Sequence, residues 1–154
     1  MLAVHVHKAP AVVLEKLSNL FDSLHSLKNR FETSANNVAD KMMQRTLRSV
    51  AQESCQYANE LSGQIQSMGG DPSKYFNTND CTVMNGEEMP NTDTYVIDNE
   101  LIKRCTDKEV EMIKAYRDVL NESNLYTDLR NMVRYQLNGI MYGFLQIKLL
   151  DLHD

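Results

Sequence analysis

Four stretches of helical-period apolar residues, divided by a short, a long and another short connection, constrain this chain more than any motif within it. Val13, Leu17, Leu20, Leu24, Leu27, Phe31 and Ala35 recur every three or four residues, which places them on one side of a helix entered through Pro10. Asn36-Asn37 breaks that helix. A second helix is predicted over 38–68, with Met43, Leu47, Val50, Ser54, Tyr57, Leu61, Ile65 and Met68 inward. Gly69-Gly70-Asp71-Pro72 stops it, since glycine takes the left-handed cap conformation and proline cannot continue a helix. The third helix, 99–121, repeats Ile102, Cys105, Met112, Ile113, Tyr116 and Leu120, with Glu109 at the centre of that side. The fourth is capped by Thr127 or Asp128 and turns Leu129, Val133, Leu137, Ile140, Phe144 and Ile147 inward, with Gln136 near the same side. Gly139 and Gly143, one turn apart, each cost about 1 kcal/mol in a helix interior. They predict a close helix contact, or else room for a bound group beside Gln136.

The connections set the order of these helices. Short joints make helices one and two, and three and four, antiparallel neighbours. The connection 73–98 is longer than the roughly 15 residues usual in a compact domain. If helix three runs parallel to helix two, the chain must cross the bundle's length, about 40 Å at about 1.5 Å per residue, before starting again. An extended segment of this size reaches easily at roughly 3.3 Å per residue. Tyr75, Phe76, Tyr95, Val96 and Ile97 are candidates to pin it to the bundle, and Asn85-Gly86 reads as a tight turn. The expectation is one all-α domain over 1–154: a ferritin-like four-helix bundle in up-down-down-up order. Residues 1–9 form a loosely ordered leader, where His5 and His7 share a side only if extended.

Composition narrows the function classes. A net charge of -5 argues against binding through a phosphate backbone, which needs clustered Lys and Arg, so nucleic acid is not an expected partner. No run of about 18 apolar residues appears, and the N-terminus lacks the pattern of a signal peptide. Three cysteines, Cys55, Cys81 and Cys105, are widely spaced without a Cys-x-x-Cys pair, which points to reduced thiols in a cytoplasm. Gly-x-Ser-x-Gly and glycine-rich phosphate loops are absent from the sequence.

The blocks AQESCQYANEL, GGDP, EVEMIKAYRDVL and RYQLNGIMYGFLQIKLLD, over roughly 14–72 and 100–152, resemble an uncharacterised bacterial ferritin-like family, a domain-of-unknown-function group with four-helix members. The resemblance implies the bundle fold and leaves activity open. It implies that the family's carboxylates in helices two and three fall at Glu53 and Glu109. Members often carry a histidine where Phe144 aligns, and that departure weakens an inherited metal site.

A di-iron bundle needs about six inward ligands, two Glu and two Glu-x-x-His pairs. Here Glu53-Ser54-Cys55-Gln56 stands in place of one such pair, and helix four has no Glu between Leu129 and Leu150 and no His before His153. Glu15 and Glu32 in helix one are not at mid-bundle. Lys28 lies inside the first stripe and is the natural partner for Glu109, since an unpaired buried carboxylate costs several kcal/mol, roughly. The expected interior is therefore a buried polar layer of Lys28, Glu109 and Gln136, completed by Tyr57 or Tyr116. Glu60 reads as a surface charge, and His25 as solvated. The functional expectation is a non-catalytic interaction or stress-related protein, a homo-oligomer, more a binding module than an enzyme. The alternative is a metal-binding or redox protein, holding iron or another divalent metal at a reduced site near Glu109 and Glu53.

Overall fold

A computed structural model describes residues 10–70, 81 and 98–151. Among these residues there are four helices and no strand: α1 (Ala11–Asn36), α2 (Lys41–Ser67), α3 (Asp98–Leu120) and α4 (Thr127–Asp151). His5, His7, the aromatic pins of the crossover and the Asn85-Gly86 turn lie outside the described residues.

Each helix end has a local cause. Pro10 caps α1 with its carbonyl, which accepts from the Val13 and Leu14 amides at 3.0 and 3.2 Å. Helix α2 starts at Lys41 rather than 38, because Asp40 is the N-cap and its carboxylate accepts from the Met42 amide at 2.8 Å. Val38 is buried in the turn instead, and the Gln44 side-chain amide donates to its carbonyl at 2.6 Å. At the other end of α2, Gly69 takes φ 96°, the Gly70 amide reaches the Ile65 carbonyl at 2.8 Å, and the Gly69 amide reaches Gln66 at 3.1 Å. That pair of bonds is a Schellman motif, which satisfies carbonyls a helix leaves free. The free carbonyls closing α3 are taken by a side chain of the next helix: Arg130 donates to Leu120 and Glu122 at 2.7 and 2.6 Å.

Helix α1 packs against α2 and α3, and α4 packs against the same two, leaving α1 and α4, and α2 and α3, on the diagonals. Lys16 near the start of α1 bonds Glu122 beyond the end of α3 at 2.5 Å, so α1 and α3 run antiparallel. Tyr126 at the start of α4 donates to Gln64 near the end of α2, so these two are antiparallel as well. The core holds the predicted stripes: Leu17, Leu20, Leu24 and Leu27 of α1 are wholly buried, as are Leu47 and Leu61 of α2. Phe31 and Phe144 meet edge to face across the diagonal with centroids 5.6 Å apart.

Two expectations are corrected. Cys55 and Cys81 are not reduced thiols but form a disulfide, with Cα atoms 5.6 Å apart. The partner comes from the crossover 26 residues away, so no local spacing announces the pair. Cys105 is the free, buried cysteine. The α3 stripe is also turned from its predicted azimuth. Leu101 and Val119 are fully buried while Ile102, Ile113 and Leu120 are half-buried, so Glu109 falls on the stripe's edge. No helix among the described residues is long and apolar enough to cross a membrane.

Candidate functional site

The described polar groups converge most on the seam between α2 and α4. Glu53, Tyr57 and Glu60 are four and three residues apart, so they share one flank of α2. Across from them α4 presents Tyr135, Gln136 and Gly139. The Tyr57 hydroxyl donates to the Glu53 carboxylate at 2.5 Å. The Tyr57 ring meets Tyr135 edge to face at 6.3 Å. Gly139 makes this geometry possible. A Cβ built there would lie inside the contact radius of the Tyr57 hydroxyl and the Glu53 carboxylate, and 3.0 Å from Tyr57 Cζ. Gly143 brings α4 onto Val50 in the same way, where a Cβ would meet Cγ2 at 2.8 Å. Of the two readings of these glycines, the close contact is the one observed.

Gln136 is 0 % exposed. Its carbonyl accepts from the Tyr116 hydroxyl at 3.1 Å, and its amide donates to the Tyr57 backbone carbonyl at 3.3 Å and to Glu60 at 3.0 Å. A buried amide left without such partners would cost about 1–3 kcal/mol, so the layer keeps its members together. Glu60, exposed as expected, is nevertheless one of these partners. Its seven-residue separation from Glu53 was the signal that it shares that flank. Outside the layer, a cleft of about 480 Å³ runs along Glu53, Gln56, Tyr57, Glu60 and Tyr135.

The predicted partnership of Lys28 with Glu109 is not present. Lys28 pairs along its own helix with Glu32 at 3.3 Å, and Glu109 pairs with Lys148 of α4. Counting equal steps from Lys16 opposite Glu122, Lys28 comes level with Val110, next to Glu109. What differs is the direction: the turned stripe aims Glu109 at α4 rather than α1. Glu53 and Glu109 lie on different seams, α2–α4 and α3–α4, while α2 and α3 are not neighbours.

Burial holds three acidic side chains, Tyr57, Tyr116 and Cys105, in their protonated forms. Burial first, and then the bond to Glu53, raise the Tyr57 phenol above its ordinary value. Burial also raises Tyr116. Both rings stay protonated donors at neutral pH. Burial, helped by the Glu109 charge, pushes the Cys105 thiol up to about 12, so the reactive thiolate is suppressed. His25 is half-buried against Phe21, with centroids 4.6 Å apart, rather than solvated. Burial and the nearby Lys28 charge lower its pKa, partly offset by Asp22.

The di-iron ligand set does not fit these residues. Helix α4 offers Gln136 and Phe144 at its buried positions, and among the described residues no three His, Cys, Asp or Glu side chains come together in a way that holds a metal ion. The sequence matches a family described as Domain of unknown function (DUF2383) over residues 12–122, from the first turn of α1 to Glu122 beyond α3. No curated protein matches it.

Proposed function

The chain belongs to the DUF2383 family, and from that premise we propose that it is a ferritin-like bundle, up-down-down-up, that acts as a non-catalytic, self-associating interaction protein. The antiparallel α1–α3 and α2–α4 contacts, with the long link between α2 and α3, support that topology. The observation that carries the functional reading is the Gln136 layer. The polar side chain that α4 buries is a neutral amide tied to Tyr116, Tyr57 and Glu60, whereas a di-iron bundle requires anionic or imidazole ligands from its helices. The bond from Tyr57 to Glu53 and the pairing of Glu109 with Lys148 engage the two candidate carboxylates with protein partners. The Cys55–Cys81 disulfide supports maturation in an oxidising compartment in place of the cytoplasm.

Elemental analysis of protein purified without an affinity tag tests the reading, together with melting in the presence of a chelator. The expected result is no stoichiometric transition metal and an unchanged melting temperature. A stoichiometric metal that disappears in Glu53→Gln or Glu109→Gln would replace this reading with a reduced metal site.

A further inference from the structure

We propose that the outer face of α4 is a coiled-coil-like seam that docks a second copy of this chain. This deepens the self-association part of the reading above and rests on it. Helix α4 is apolar on two sides. Its inner side carries Val133, Ile140, Phe144 and Ile147 into the core. On the opposite side Tyr135 is 69 % exposed, Tyr142 62 %, Leu145 48 % and Leu149 47 %, with Met141 beside them at 41 %. Large apolar side chains left exposed along one line of a helix mark an interaction surface.

Spacing and area both point to the occupant. Tyr135, Asn138, Tyr142, Leu145 and Leu149 are separated by three, four, three and four residues. That alternation is the heptad rhythm that keeps a seam facing a partner helix, with Asn138 the one polar residue among the five. At roughly 200 Å² per large side chain, the exposed fractions leave about 500 Å² of apolar surface on the stripe. Two such stripes, self-complementary across a two-fold axis, would bury about 1,000 Å² in total, the lower bound for a biological interface and the size of a reversible dimer. Neither helix need distort, because the Gly139 and Gly143 contacts hold α4 against α2 on another side.

The test uses the full chain in its oxidised form. Sedimentation should give twice the 17.7 kDa chain mass, and Tyr142→Lys with Leu149→Lys should return it to 17.7 kDa with helical circular dichroism unchanged. Tyr142 lies midway along the seam, so Tyr142→Cys should form an intermolecular disulfide under mild oxidation, whereas Val110→Cys, exposed on α3, should not. A dimer that survives both lysines with its Tyr142→Cys copies uncrosslinked overturns the α4 seam while leaving self-association standing. Wild-type protein that stays at 17.7 kDa at every soluble concentration overturns both. So does monomeric protein whose α4 stripe becomes protected only on phosphatidylcholine vesicles, which would make the occupant a lipid surface.

Discussion

Replacing Gly139 by alanine should destabilise the bundle although alanine is the better helix former. The new Cβ would overlap the Tyr57 hydroxyl and the Glu53 carboxylate and press on Tyr57 Cζ at 3.0 Å. Glu53 can swing into the cleft, but Tyr57 is a rigid, 6 % exposed ring that must tilt against its neighbours. Overpacking of this kind costs about 1–3 kcal/mol. Loss of the bond from the hydroxyl to the carboxylate adds about 1.5–3 kcal/mol. The gain in helix propensity returns about 1 kcal/mol. Because the ring can relax without losing both terms in full, the net is about 2 kcal/mol, a fall of roughly 4–8 °C in melting temperature for a chain of this size. Gly63→Ala is the matched control: nothing lies within 4 Å of its Cβ, so only propensity acts and the midpoint should rise. Tyr57→Phe removes the nearest obstacle, so Gly139→Ala should be milder by at least about 1 kcal/mol in that background. Thermal unfolding followed at 222 nm reads wild type and the four variants. If Gly139→Ala melts at or above wild type while Gly63→Ala shows its gain, the close α2–α4 contact is not what the glycine serves.

The Gln136 layer makes a second cycle. Gln136→Leu should cost about 1–3 kcal/mol by leaving the Tyr116 hydroxyl buried without an acceptor, and Tyr116→Phe should recover part of that loss in the double variant; additive urea midpoints would count against the layer. Closing a loop between residues 26 apart should be worth about 3.5 kcal/mol on the chain-entropy account. Reductant should therefore lower the melting temperature, and thiol titration of denatured, unreduced protein should find one cysteine, Cys105. Glu109→Gln should couple with Lys148→Met by no more than about 1 kcal/mol, Lys148 being 45 % exposed. Glu109→Gln and Lys28→Ala should be additive; non-additivity there would restore the pairing predicted from sequence.

The sequence was most informative where a period repeats. Leu17 to Phe31 in α1 and Leu47 to Ile65 in α2 are buried as their spacing predicts, and the polar character of Gln136 inside α4 was legible for the same reason. Azimuth was harder. Leu101 and Val119 compete with Ile102 and Leu120 for the core, and a shift smaller than one residue step moves Glu109 from the centre of the stripe to its edge, and from Lys28 to Lys148. Long-range pairing was not legible at all: Cys55 meets Cys81 across 26 residues of sequence, which no local spacing encodes. The second apolar stripe of α4 has the same three-four spacing as the inner one, so periodicity alone does not separate the covered side from the exposed one.

The bridge to the crossover has a consequence for how this architecture tolerates change. Cys55 lies at the waist of α2, and Cys81 near the midpoint of the stretch between Ser67 and Asp98. The bond therefore makes the lengths of sequence before and after Cys81 independent quantities: residues gained or lost on one side leave the other side with the same two covalently set ends.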